Sequence, residues 1–167
     1  MKKTALTAAI ALTAMLAASP AFATSTKDFV EKAAMSDMFE IASSKIALER
    51  AQNAEVKAFA QKMIDDHTAS SAKMKEALAG AKADVQPPAA LDEKHTKKLE
   101  KLQKADAEDF DEDYLNIQQK AHRKAVSLFK DYADDGDNAA LKSFASATLP
   151  TLEAHKDHVN QLEDKLD

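Results

Sequence analysis

Residues 81–108 read AKADVQPPAALDEKHTKKLEKLQKADAE, and this long connection decides the fold of the chain. Pro87 and Pro88 exclude a continuous helix through its first half, because proline lacks the backbone N–H that a helix interior needs. After the prolines, leucines at helical spacing predict a short helix at about residues 92–104. Long amphipathic helices are predicted on both sides, so the connection joins two separate helical pairs.

Long helices are predicted at about residues 26–51, 53–79, 109–133 and 138–166, on the spacing of their apolar residues. Gly80 is expected to end the second helix, and Pro150 to kink or restart the fourth. Each pair has a short internal link and is therefore an antiparallel hairpin, whereas the long connection makes the second and third helices parallel. The sequence thus predicts an all-α, ferritin-like four-helix bundle: two hairpins joined by a long crossover that contains a short helix.

The first residues have the pattern of a secretory signal peptide. Lysines at positions 2 and 3 precede an apolar run over residues 5–18, and Ala21-Phe22-Ala23 has the small residues that signal peptidase requires. The run is shorter than the ~20 residues of a membrane-spanning helix. We therefore expect removal of residues 1–23. Residues 24–167 should form one domain in the periplasm, without a membrane span.

The composition favours helices and limits the classes of partner. The chain has two glycines, no cysteine and a formal net charge of −5. Few glycines favour helices, and the absence of cysteine excludes disulfides and thiolate chemistry. The negative charge argues against a nucleic-acid partner but is compatible with a protein partner in the envelope. No motif for an organic cofactor is present.

Three histidines, His67, His122 and His155, occupy the apolar stripes of three different helices, and Glu40 lies in a row of small residues on the first helix. A polar group on a buried stripe costs stability unless it has a partner. At ~1.5 Å per residue, Glu40, His67 and His122 lie at nearly the same depth, whereas His155 is displaced by ~7 Å. One carboxylate and two or three imidazoles at one depth predict a site for one transition-metal ion: zinc, copper or iron.

Other polar residues are candidates for hydrogen bonds to these ligands, namely Asp66, Asp111 and Tyr114. A ferritin-type di-iron centre is not predicted, because its Glu-x-x-His motifs are missing: Ile64 and Gln119 stand three residues before His67 and His122. The methionines at helical spacing are interpreted as core residues rather than as Cu(I) ligands.

Several blocks along the chain carry a family resemblance. They include FVEKAA (29–34), EI (40–41), VKAFA (56–60), MIDDH (63–67), FD with Tyr114 (110–114), AH (121–122) and LPTLEAH (149–155). Together they resemble the bacterial exported family called domain of unknown function 4142. The resemblance implies a ferritin-like bundle outside the cytoplasm and no established activity. It also implies recurrent polar positions at Glu40, Asp66, His67, Asp111, Tyr114, His122 and His155.

Three hypotheses about function stay open at this point. The first is an exported ferritin-like protein that binds one metal ion through the four candidate ligands. The second is a non-catalytic envelope or stress-related interaction protein, in which the histidines form a structural hydrogen-bond network. The third is an enzyme on a ferritin-like scaffold, for which the sequence offers no complete redox-cofactor site.

Overall fold

The computed structural model describes residues 24–81 and 83–166. Its helices there are α1 (Thr26–Arg50), α2 (Ala54–Ala81), α3 (Glu93–Gln103), α4 (Phe110–Asp135) and α5 (Ala139–Leu166). This part of the chain contains no strand, so the prediction of an all-helical domain is confirmed. None of these helices is long and apolar enough to cross a membrane. The predicted signal peptide, residues 1–23, lies outside the described residues.

Side chains satisfy the backbone N–H groups that a helix start leaves free. Ser25 Oγ accepts from the N–H of Asp28 at 3.2 Å, before α1. Asp92 Oδ1 accepts from the N–H of His95 at 2.7 Å, before α3. Serine and aspartate are preferred at this position because their short side chains reach those N–H groups. The starts of α1 and α3 are therefore set by local sequence.

The helix α2 ends at Ala81, one residue beyond Gly80, whereas α5 continues through Pro150 and does not restart there. A single glycine costs only ~1 kcal/mol in a helix, which the packing of the rest of α2 outweighs. Pro150 removes one hydrogen bond to the carbonyl of Ser146. Both Pro150 and Ser146 are exposed, so water can hydrate that carbonyl and the helix is not forced to end.

Replacing Gly80 by alanine should stabilise the protein by up to about 0.5 kcal/mol, the lower value for a helix interior, since Gly80 is the second-last residue of α2 and alanine loses less backbone entropy in a helix. A Cβ atom built at Gly80 has no neighbouring atom within 4 Å, so the methyl group fits. Urea unfolding of the variant measures the change. Gly136→Ala is the contrasting variant, because its Cβ would lie 2.5 Å from the Tyr132 carbonyl oxygen. A loss of stability in Gly80→Ala would contradict a helix that passes through this residue.

The four long helices form a four-sided bundle. Both α1 and α5 pack against α2 and α4, and α3 lies against α1 and α4. Apolar residues from the beginnings of α2 and α4 share one cluster with residues from the ends of α1 and α5. The helices α2 and α4 therefore run in one direction, and α1 and α5 run in the other.

Within residues 24–81 and 83–166, the apolar core consists of two clusters, one at each end of the bundle. One contains Phe29 and Phe129, and the other contains Phe59 and Phe110. Between them, each long helix contributes buried polar residues: Asp37, Glu40, Ser43, Ser44, His67, Ser70, Gln118, His122 and His155. Such a layer costs stability unless its members bind one another or a ligand. The polar layer in the middle of the bundle is therefore the candidate functional region.

Candidate metal centre

Three buried imidazoles from three helices meet in the polar layer. His67 comes from α2, His122 from α4 and His155 from α5, and none is more than 2% exposed. Each ring offers one nitrogen, and the three nitrogens lie within 4.8 Å of one another. The ring centroids are 5.2–5.6 Å apart. Residues distant in sequence thus form one compact group of nitrogen ligands.

Glu40 brings a carboxylate from α1 to the same group. Its Oε2 atom lies 3.1 Å from His67 Nε2 and 3.2 Å from His122 Nε2. Its Oε1 atom accepts a hydrogen bond of 2.7 Å from the Ser36 hydroxyl. The carboxylate is completely buried and has no contact with water. All four long helices therefore contribute one side chain to the group.

In each imidazole, the nitrogen that points away from Glu40 and the other two histidines is here called the outer nitrogen. It donates a hydrogen bond to an oxygen of a neighbouring residue. The bonds are His67 Nδ1 to Asp37 Oδ1 at 2.8 Å, His122 Nδ1 to the Gln118 carbonyl at 2.9 Å, and His155 Nε2 to Asp66 Oδ2 at 2.7 Å. Carboxylate and carbonyl oxygens only accept, so each outer nitrogen carries the proton. Histidines that bind metals are commonly oriented by such bonds.

In the neutral rings, the inner nitrogens present lone pairs to one another and to Glu40. His67 Nε2 and Glu40 Oε2 are only 3.1 Å apart, but both are buried and neither has a partner with hydrogen-bond geometry. His122 Nε2 and His155 Nδ1 are 3.3 Å apart. Lone pairs at these distances repel unless a proton or a metal ion lies between them. The group therefore requires a proton or a metal ion between these atoms.

The pKa values show which group holds a proton in the metal-free protein. Burial alone lowers the pKa of His67, but the Glu40 charge and the bond to Asp37 outweigh burial and raise it to about 10. Burial opposes the charge on Glu40, yet His67 and His122 lower the Glu40 pKa to about 2. Burial lowers the pKa of His155 to about 4. At neutral pH, His67 and Glu40 are therefore an ion pair.

The sequence pattern of a family described as "Domain of unknown function (DUF4142)" matches residues 11–162. The chain belongs to this family. Among solved structures it is similar to "Crystal structure of DUF305 fragment from Deinococcus radiodurans", with a TM-score of 0.70 and 14% identity over 82% of this chain and 93% of that chain. At this identity the likeness shows the fold alone, a ferritin-like helical bundle. No curated protein matches the chain.

The DUF4142 fold brings together the four residues predicted as ligands, and Asp66 with them. The predicted displacement of His155 by ~7 Å does not separate it from His122. Helical side chains lean toward the N-terminus of their own helix. On antiparallel α4 and α5, the longer distance of His155 from the hairpin turn is therefore offset, because the two side chains lean toward each other.

Two residues predicted to support the ligands lie elsewhere in this DUF4142 domain. Asp111 accepts hydrogen bonds from the backbone N–H groups of Gln52 and Asn53, at 3.0 Å and 2.7 Å, in the α1–α2 turn. Tyr114 is hydrogen-bonded to Ser44 at 2.8 Å. On α4 they precede His122 by roughly 16 Å and 12 Å at ~1.5 Å per residue, too far to reach its ring. Among the described residues, neither side chain is hydrogen-bonded to His67, His122, His155 or Glu40, so their role beside the ligands stays a prediction.

Sequence reasoning missed Asp37, which is 3% exposed and holds the His67 ring. Asp37 also accepts a hydrogen bond of 3.0 Å from Ser71. Its spacing of three residues from Glu40 was a usable signal, because residues at i and i+3 share one helix face. The two carboxylates approach opposite nitrogens of one imidazole.

Proposed function

We propose that this DUF4142 protein is exported and binds one transition-metal ion in the core of its bundle. His67, His122 and His155 would provide nitrogen ligands, and Glu40 would provide an oxygen ligand. One observation carries this proposal: the inner ring nitrogens and Glu40 Oε2 converge, while fixed acceptors hold the outer nitrogens. Export rests on the signal-peptide pattern of residues 1–23.

The donor set indicates the class of metal. Three imidazole nitrogens and one carboxylate oxygen suit Zn²⁺, Cu²⁺ and Fe²⁺, whereas Cu(I) prefers sulfur ligands. The Glu40 and Asp37 carboxylates are both buried beside the histidines, so they would balance the charge of a divalent ion. Zn²⁺ fits best, because four protein ligands complete the coordination of a closed zinc site.

The burial of the ligands favours retention of the ion over catalysis. No ligand side chain is more than 2% exposed, so a substrate would have no open path to the metal. Asp66, whose side chain is 32% exposed, connects His155 to the surface and pairs with Lys62 at 2.7 Å. We propose that an ion enters at this point, by displacement of the His155–Asp66 bond.

The second hypothesis, a structural histidine network, also has an observation in its favour. In the metal-free protein, protonated His67 lies between Asp37 at 2.8 Å and Glu40 at 3.1 Å, so the charges are already paired. A network of this kind holds four helices together without an ion. The two hypotheses differ in whether the His67 proton can be exchanged for a metal.

A calorimetric titration should show one Zn²⁺ bound per chain, with release of at least one proton at neutral pH. His67 has a pKa of about 10, so it must lose its proton before Nε2 can bind the metal. Titrations in two buffers with different ionisation enthalpies measure the protons released. Affinity should keep rising above pH 6.5, the ordinary histidine value, because His67 is still protonated there.

The control for this titration is His95→Gln, which changes a histidine of α3 outside the metal centre and should bind zinc unchanged. Absence of zinc binding in the untagged protein would refute the proposal. Binding without proton release would show that zinc occupies another site.

A further inference from the structure

A groove of about 770 Å³ lies between α1, α3 and α4. This volume is typical of sites for small molecules. Its floor includes Met35 and Phe39 of α1 and Ile117 and Leu128 of α4. Phe39 is 3% exposed, and the other three side chains are half-buried. The three half-buried side chains therefore offer an apolar surface that a ligand would cover.

Lysines surround this apolar floor. They are Lys32, Lys94, Lys98, Lys101, Lys120 and Lys124. The carboxylates that line the groove are Glu31, Asp92 and Asp113. Six lysines against three carboxylates leave a local charge of +3, in a chain whose formal net charge is −5. Asp92 is already bonded to the N–H and the ring of His95. The groove thus has the opposite charge to the chain as a whole.

Three of these lysines, Lys94, Lys98 and Lys124, form no ion pair with a described residue. Partial burial and the charges of Lys124 and Lys94 lower the pKa of Lys98, and Asp92 offsets this only in part. Across residues 24–81 and 83–166, no carboxylate oxygen lies within 4.0 Å of any of these three ammonium groups. Lys98 Nζ lies 5.5 Å from the centroid of the Phe39 ring. Positive charge is therefore held directly beside the apolar floor.

We propose that this groove binds a single-chain anionic amphiphile, with its acyl chain on the apolar floor and its carboxylate among Lys94, Lys98 and Lys124. An inorganic anion would leave the apolar floor uncovered, and a neutral hydrocarbon would leave the lysines uncompensated. An anionic amphiphile covers the apolar floor and also compensates the charge of the lysines. The proposal is independent of the metal centre, because no histidine of that centre lines the groove.

Palmitate is the probe, used below its micelle concentration with the purified protein expressed from the full-length sequence. Calorimetry should show saturable binding of one palmitate per chain, weaker in high salt because exposed charges are screened. The double variant Lys98→Gln/Lys124→Gln should weaken binding by about tenfold or more, as expected for the loss of charge-assisted bonds. Hexadecanol, which has the same chain without the charge, should bind more weakly than palmitate.

The matched control is Lys57→Gln/Lys75→Gln, which removes the same charge from two exposed lysines of α2, outside the groove. Its affinity for palmitate should equal that of the wild type. Equal losses in both double variants would overturn the proposal, because binding would then follow net charge alone. Absence of saturable binding, or a preference for an acidic peptide over palmitate, would also overturn it.

Discussion

Zinc added to the purified protein should raise its melting temperature by roughly 5–10 °C at a free concentration of 100 times Kd, and His67→Ala should abolish that rise. A ligand that binds only the folded state stabilises it by ~2.7 kcal/mol at that concentration. For a domain of this size, each kcal/mol shifts the melting temperature by ~2–4 °C. His67 is decisive because both of its ring nitrogens are engaged, one by Asp37 and one facing Glu40. Thermal unfolding followed by circular dichroism, with zinc or with a chelator, measures the difference.

The control is again His95→Gln, which should retain the full rise with zinc. The structural-network hypothesis makes a different prediction for the wild type and for His67→Ala. In that case zinc would not stabilise the wild type, and His67→Ala would only destabilise it, by ~1–3 kcal/mol, because hydrogen-bonding groups would be left buried without partners. That result would reject the metal-binding function.

Glu40→Gln should destabilise the metal-free protein by about 3 kcal/mol, because removal of one member of a buried ion pair leaves the other charge uncompensated. Glu40 is completely buried, and its charge is a main reason that the pKa of His67 is raised. Urea unfolding in the presence of a chelator measures the loss. Glu49→Gln is the matched control, since Glu49 is an exposed residue of the same helix and should change stability little.

The pH profile separates this electrostatic effect from a simple packing defect. Folded His67 keeps a proton that the unfolded chain loses, so its contribution is complete below pH 6.5 and disappears as pH rises toward 10. His155 has a lowered pKa, so stability falls as pH drops from 6.5 toward 4. The Glu40 contribution is present above pH 4.5 and is lost toward pH 2. Metal-free stability should therefore be greatest near pH 6.5.

In Glu40→Gln, the decline of stability on the alkaline side should become smaller, because the main charge that holds the His67 proton is gone. Glu49→Gln should retain the wild-type profile. If Glu40→Gln is destabilised but keeps the same alkaline decline, the His67–Glu40 pair does not control this proton. A pure packing defect would lower stability equally at every pH.

Features that depend on a few neighbouring residues were predictable from the sequence. The Ser25 side chain caps α1 through a local hydrogen bond, and the connection that contains Pro87 and Pro88 separates α2 from α4. The stripes also placed His67 and His122 on inward faces, because a helix repeats every 3.6 residues whatever it packs against. Fold class and the inward position of these histidines are thus local properties of the chain.

Other features were decided only by the packing of one helix against another. Pro150 departs from the local rule for helices, yet it remains helical because packing along the whole of α5 outweighs one unfavourable residue. The contact of His155 with His122 depends on the offset and rotation of α5 against α4, which periodicity does not specify. The lysine-lined groove likewise joins side chains of three helices. Tertiary structure alone determines such convergence, because shifts of a few ångströms between helices make or break these contacts.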